Sequence, residues 1–169
     1  DSSVAAALCA DAGYEVHGVT LKLKPEIPGC STYGSCGGLD DESSAKQAAD
    51  IIGITHEVID LRKDFTDLVL EPCWREYSHA RTPNPCALCN RFVKFGKILE
   101  YAKKIGASGM ITGHYVKKVN LPDGQIALER GADPVKDQTY FLFSLTREEL
   151  AASFFPLGEM TKPEVKAKA

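Results

Sequence analysis

The sequence predicts an α/β fold: a doubly wound, mostly parallel sheet carrying a small hairpin insertion. Three observations predict it. Strand-like and helix-like segments alternate along the chain, and repeated βα units bring parallel strands together with helices on both faces. With 169 residues, 44% of them hydrophobic and 25% charged, the chain has the size and composition of one globular domain with a full core. Finally, the alternation is interrupted at Asn120-Leu121-Pro122-Asp123-Gly124, whose residue types suit a turn between two short strands.

Each element has its own warrant. The alanine-rich segment Ser2 to Ala12 reads as a helix, with Asp1 as its N-cap and Gly13 as its stop. Tyr14 to Leu23, with Val16, Val19 and Leu21, reads as a strand. Pro25, Pro28, Gly29, Gly34, Gly37 and Gly38 mark residues 24–39 as a long loop, and such loops in compact domains are functional or disordered. Asp41 caps a helix through Ala45, Ala48 and Ile51 that ends at Gly53, and His56 to Leu61 is a short strand. Phe65 to Ser78 is helical, with Leu68, Val69, Cys73, Trp74 and Tyr77 mostly on one face and Pro72 weakening its middle. A loop through Arg81 to Cys86 precedes a strongly amphipathic helix from Asn90 to Ile105. That helix places Phe92, Phe95, Ile98, Leu99 and Ala102 inside and its lysines outside. Ser108 to Thr112 is a buried strand with Gly113-His114-Tyr115 at its carboxyl end, where open α/β sheets bind ligands. Val116 to Glu129 is the hairpin, and the apolar run Thr139 to Phe143 is expected to be a core element. Asp1 is already a helix cap and Ala169 lies inside a beginning helix, so a longer parent chain is expected.

No apolar stretch approaches the ~20 residues of a membrane span, so no membrane partner is expected. The opening Asp1-Ser2-Ser3 has no basic flank of a secretory leader, which points to a reducing, cytoplasmic setting. Net charge is −3, which ordinarily argues against nucleic acid. Residues 75–104, however, hold seven basic side chains against two acidic ones, a local +5 that leaves −8 for the rest. A patch makes contacts where the mean does not, so this stretch can bind a polyanion, although on charge alone a solvated lysine-rich helix face is the simpler explanation.

Six cysteines in a chain of this length are too few for a disulfide scaffold. Cys86-Ala87-Leu88-Cys89 is the informative pair. It lies at the start of the basic helix between Arg81 and Arg91, and helix N-termini and neighbouring cations favour the thiolate. A structural metal hook or a buried pair explains the spacing equally well. With Cys30 or Cys36 from the long loop, Cys86 and Cys89 also make a candidate ligand set for an iron–sulfur cluster or zinc; the alternative is free thiols. Cys9 reads as a small core residue. Asp1, Ser2 and Ser3 at a helix N-terminus suit a phosphate, or serve as a plain cap. His114 stands at a strand end, where a lone histidine is more often structural. Lys136-Asp137-Gln138 forms either a polar turn or a contact surface.

Together these residues resemble the tRNA-specific 2-thiouridylase family of the PP-loop pyrophosphatase superfamily. Asp1-Ser2-Ser3-Val4-Ala5-Ala6 resembles the end of its Ser-Gly-Gly-Val-Asp-Ser-Ser loop, and Gly18 to Leu23 resembles its second strand. Arg81 to Pro85, Cys89-Asn90 and Lys94-Phe95 resemble its cysteine loop. Thr112 to Tyr115 and Lys136 to Leu142 resemble two further signatures. The resemblance implies an adenine nucleotide alpha hydrolase-like fold, with residues 1–160 as the nucleotide-binding domain and 161–169 beginning a following domain. It also implies ATP and magnesium, a tRNA substrate, and a protein that donates or relays sulfur. On this resemblance the C2 carbonyl of a wobble uridine is adenylated and a cysteine persulfide delivers sulfur. The nucleophile position falls on Cys89, and the target base is contacted at Asn84, Pro85 and Cys86. The tRNA is contacted at Lys136, Asp137 and Gln138, and ATP at Asp1, Ser2, Ser3, Leu21 and Gly113.

The sequence departs from the family at Cys86, where some members carry Asp; a proton-transfer role there passes to a thiolate or a water. The first part of the phosphate loop would precede residue 1, and the persulfide-carrying cysteine would follow Ala169. Two other readings fit part of the pattern. Another PP-loop adenylating synthetase would need neither Cys89 nor the basic helix, and a non-catalytic nucleotide- or RNA-binding module would lack the second cysteine.

Overall fold

The computed structural model describes residues 1–24 and 39–169. Helix α1 (Ser2–Asp11) turns through Gly13, at φ +87°, toward strand β1 (His17–Lys22). Helix α2 (Leu39–Ile52) carries the chain to β2 (Thr55–Asp60), which lies parallel to β1 with His17 opposite Thr55 and Lys22 opposite Asp60. This is the βαβ unit that the alternation predicts. The helical stretch that follows is longer than predicted. It starts as α3 (Arg62–Phe65), is wound as a π-helix over Thr66–Leu70, and continues as α4 (Glu71–Ser78). Pro72 has no N–H to donate, and it falls in the first turn of α4, directly after the widened π-helical turn.

The basic helix also starts earlier than predicted. Asn84 caps α5 (Pro85–Leu88), a π-helical stretch covers Cys89–Lys97, and α6 (Ile98–Lys104) completes the rod. The π winding explains a misplaced side chain. Phe92, expected inside on a 3.6-residue period, is 42% exposed, whereas Asn90, Val93 and Phe95 are buried. Trp74 and Tyr77 of α4 also stand in solvent, and only Val69 and Cys73 of that predicted face are buried.

Strand β3 (Met110–Ile111) pairs in parallel with β6 (Ser153–Phe154). The hairpin is antiparallel, β4 (Val116–Asn120) against β5 (Ile126–Arg130), with Gly124 at φ +79° in its turn. The fold is therefore α/β. Among the described residues the strands form three separate two-stranded ladders rather than one continuous sheet. A short 3₁₀ turn, Thr139–Leu142, precedes α7 (Arg147–Ala151), and α8 (Lys162–Ala167) closes the chain; capping boxes at Thr146/Glu149 and Thr161/Glu164 start these two helices. The apolar run 139–143 is not a core element as predicted: Leu142 is buried, but Tyr140 and Phe143 are among the most exposed aromatics of the described residues.

Three apolar clusters hold these pieces. Val4, Ala5, Tyr115, Leu157 and Val165 join α1, the segment after β3 and α8. Phe95, Leu99, Met110, Val116 and Leu142 join the basic helix to β3, the hairpin and the 3₁₀ turn. Leu23, Leu61, Val69 and Val93 join the β1–β2 pair to the helices before and after Cys86. Lys118 crosses from the hairpin to α7, its Nζ donating to the carbonyls of Ala151 (3.2 Å) and Ser153 (2.6 Å). Among the described residues no helix is long and apolar enough to cross a membrane.

Phe95 has no exposed surface and lies in the middle cluster. Phe95→Ala should lower unfolding stability by about 3–5 kcal/mol, read as a shifted midpoint in urea at unchanged slope.

Candidate active site

Asp1 occupies the N-cap position of α1, but its carboxylate does not cap the helix as the sequence suggests. It accepts a hydrogen bond from the Tyr115 hydroxyl at 2.8 Å and pairs with Lys162 Nζ at 2.5 Å. An ammonium and a phenol held by the first core cluster outcompete the backbone amides for the same oxygen. The first turn of this ten-residue helix is therefore left without a side-chain cap, with exposed Ser2 and Ser3 at the positive end of its dipole. Gly113 closes the other side: a β-carbon on it would lie 2.8 Å from the Ser2 nitrogen and 2.9 Å from the Asp1 carbonyl carbon. The fold therefore gathers Asp1, Ser2, Ser3 and Gly113. Leu21 packs against the cluster of Leu23, Leu61, Val69 and Val93.

The thiol pair is organised by its own helix start. The Asn84 side chain accepts the Ala87 N–H at 3.1 Å, and Pro85 enters the first turn, where its missing N–H would have had no helical partner anyway. Cys86 is exposed and Cys89 half-buried; three residues apart on a helix they share a face, with β-carbons about 5–6 Å apart. Cys89 packs on the same cluster as Leu21, so that cluster joins one nucleotide candidate to the nucleophile candidate. A third thiol, Cys73 of α4, is buried; burial pushes its pKa up, and the nearby Cys86 and Glu76 add to the effect. The sequence pattern places Cys73 only as one more apolar position on a helix. Cys30 and Cys36 lie outside the described residues, and among the described residues no three His, Cys, Asp or Glu side chains gather as metal ligands.

His114 is buried, with Nδ1 2.9 Å from the Thr112 hydroxyl and its ring beside Phe95. Burial, assisted by the Lys94 charge, lowers its pKa to about 3, so at neutral pH it is an uncharged member of the core edge. Beyond it, Tyr115 is clasped by Gln138. The Tyr115 N–H donates to Gln138 Oε1 at 3.0 Å, and the Gln138 N–H donates to the Tyr115 carbonyl at 3.2 Å. Asp137 accepts the N–H (3.1 Å) and hydroxyl (2.5 Å) of Thr139, which hold its pKa below the usual carboxylate range, while Lys136 is exposed. Asp133 accepts the N–H groups of Val135, Lys136 and Lys162, fixing this loop to α8.

The basic stretch is partly neutralised. Arg81 pairs with Glu76 at 2.7 Å, Arg91 with Glu149 at 2.5 Å and Lys97 with Asp64 at 3.2 Å. Arg75, Lys94, Lys103 and Lys104 have no carboxylate partner among the described residues and supply the net positive charge.

A family model described as tRNA methyl transferase HUP domain matches residues 1–169. The chain belongs to this family. Three similar curated proteins carry the name tRNA-specific 2-thiouridylase MnmA, in agreement with the resemblance drawn from the motifs. One from Thermus thermophilus is 44% identical over 176 residues, covering 100% of this chain and 47% of that protein. That of Bradyrhizobium sp. strain ORS 278 is 45% identical over 169 residues, covering 100% and 43% respectively. That of Caulobacter vibrioides is 46% identical over 171 residues, covering 100% and 45%. The chain spans about half the length of the curated relatives it matches.

The surroundings of His114 and Gly113 each have a measurable consequence. The native His114 pKa of about 3 lies below the ordinary 6.5, so the unfolded chain takes up this proton first as pH falls. Its stabilising contribution is complete above pH 6.5 and is lost between 6.5 and about 3, by at most about 1.4 kcal/mol per pH unit. Denaturation midpoints across that window should flatten in His114→Gln relative to wild type. Gly113→Ala drives a methyl group into the Asp1–Ser2 backbone and should cost about 1–3 kcal/mol in stability, read as a lowered denaturation midpoint.

Proposed function

We propose that this chain is the nucleotide-binding part of an enzyme that replaces the C2 oxygen of a wobble uridine in tRNA with sulfur, with ATP as the activating reagent. The observation that carries this reading is the pair Cys86 and Cys89 at the head of the chain's most basic helix, in a chain matched end to end by proteins named for tRNA 2-thiolation. A carbonyl oxygen is a poor leaving group; joined to AMP it becomes a good one, and C2 opens to sulfur. Cysteine is the side chain best suited to carry or relay that sulfur, since its thiolate is intrinsically the strongest nucleophile available.

The residues divide the work by position. Ser2 and Ser3 at the open end of α1, with Asp1 and Gly113, would hold the phosphates, and Leu21 would flank the nucleotide. The fit rests on a first helical turn without a side-chain cap and a glycine backbone close enough to leave no room for a side chain. Magnesium would enter with the triphosphate and offset its charge. Cys89, set on an apolar cluster, is the nucleophile. Exposed Cys86, with Asn84 and Pro85, would meet the target base, and Lys136 would reach the tRNA backbone. Asp137 and the Gln138 side-chain oxygen serve that loop from within, by holding Thr139 and Tyr115. A sulfur donor or relay protein loads the persulfide, and the cytoplasm is the setting.

Residues 1–160 form the nucleotide-binding domain of this reading, with the parallel pairs β1–β2 and β3–β6 as the pieces of a doubly wound sheet and the β4–β5 hairpin inserted; residues 161–169, whose Val165 packs into the first core cluster, lead on toward a following domain. Cys86 and Cys89 act as working thiols. An active enzyme free of iron and zinc after anaerobic purification is expected; stoichiometric metal would return both cysteines to a ligand set with Cys30 or Cys36.

In cells whose only copy of the full-length gene carries Cys89→Ser, 2-thiouridine in hydrolysed tRNA should fall to less than roughly a hundredth of wild type by mass spectrometry, the scale expected when a covalent nucleophile is lost. Thiolation at the wild-type level would reject the assignment.

A further inference from the structure

Two aromatic rings stand in solvent where the sequence pattern calls for a core. Tyr140 is 69% and Phe143 70% exposed, with ring centroids 6.0 Å apart and planes inclined at 36°. The turn that carries them is not loose. Leu142 beneath them is buried, Asp137 holds Thr139 at two points, and the side chain of Asn90 donates from Nδ2 to the Phe141 carbonyl at 3.1 Å. Asn90 is itself buried, and its Oδ1 has no hydrogen-bond partner. Such an orphaned acceptor is destabilising, so the amide fixes this turn at a cost to the fold. Asn90 is also the residue after Cys89. One helix thus presents the two thiols and, through Asn90, sets the position of the two exposed rings.

The surroundings favour one kind of ligand. Beside the rings, Ile126, Leu128, Leu145 and Leu150 line an open cleft of about 410 Å³ together with Arg147. Exposed Lys136 lies four residues before Tyr140. The carboxylate of Glu149 on α7 is already neutralised by Arg91. Rigid exposed aromatic faces with cations around them suit unpaired nucleobases, whose π-faces stack on such rings whatever their sequence while cations meet the phosphates.

We propose that Tyr140 and Phe143 form a stacking platform for an unpaired base of single-stranded RNA, held by Asn90 beside Cys86 and Cys89. The proposal rests on the tRNA reading above and adds to it the residues that seize the loop. A base stacked there holds the neighbouring nucleotide at the thiols, so the rings contribute binding and register and take no part in the chemistry.

The test uses the full-length protein with two probes, an unmodified anticodon stem–loop and a fully paired RNA duplex of similar length. Tyr140→Leu combined with Phe143→Leu should weaken stem–loop binding about 5- to 100-fold, the range for losing aromatic stacking on one or two bases. Duplex binding, ATP binding and thermal midpoint should stay at wild-type values, since both side chains are exposed. Exchanging the rings, Tyr140→Phe with Phe143→Tyr, should restore stem–loop affinity, and Tyr140→Trp should show fluorescence quenching on adding the stem–loop but not the duplex. A leucine pair that binds the stem–loop within about twofold of wild type, well short of the loss of even one stacked base, overturns the platform and leaves the thiolation reading intact. So does a leucine pair that changes oligomeric state alone, which would give the cleft to a second copy of the chain. A wild-type protein that fails to bind the stem–loop overturns both.

Discussion

Tyr115 is the joint on which the rest of the arrangement depends. Its ring lies in the core cluster with Val4, Ala5, Leu157 and Val165, and its hydroxyl reaches out of that cluster to the Asp1 carboxylate. Its backbone N–H and carbonyl are both taken by Gln138. One buried residue therefore sets the start of α1, the segment after β3 and the loop before the 3₁₀ turn. Because the Asp1 carboxylate is drawn to this hydroxyl and to Lys162, the amides at the head of α1 are left for another acceptor.

A second constraint runs through the thiol helix. Its early start at Pro85 and its π-helical middle bring Asn90, Val93 and Phe95 inward and turn Phe92 out. Phe95 packs in the cluster shared with Met110, Val116 and Leu142, and its ring lies beside His114. The helix that carries the cysteines is thereby anchored to the hairpin and to the strand end that carries Gly113. Burial keeps His114 neutral, which avoids setting a second cation near half-buried Lys94.

The family was more legible than the construction of the candidate site. Motifs of fixed spacing carry chemistry in residue type, so the cysteine pair, the Asp1-Ser2-Ser3 start and the Gly113 strand end could be read in order, and the comparisons agree with the family they suggested. Most elements could also be read, because apolar periodicity and turn residues are local signals. The errors share one cause. Phe92, Trp74, Tyr77, Tyr140 and Phe143 are apolar residues that local pattern assigns to the interior, and they stand at least 42% exposed. Hydrophobicity says that a ring gains by burial, but not whether a neighbouring element will arrive to cover it.

By itself the sequence determined the α/β class, the parallel β1–β2 unit and the hairpin turn at Gly124. Those follow from interactions between residues close along the chain. The tertiary structure alone decided that Asp1 turns to Tyr115 and Lys162, that Asn90 commits its amide to Phe141, and that Cys73 lies near Cys86. These pairings span 114, 161, 51 and 13 positions of sequence, and a hydrogen bond or charge across such distances exists only once packing has brought the two groups together.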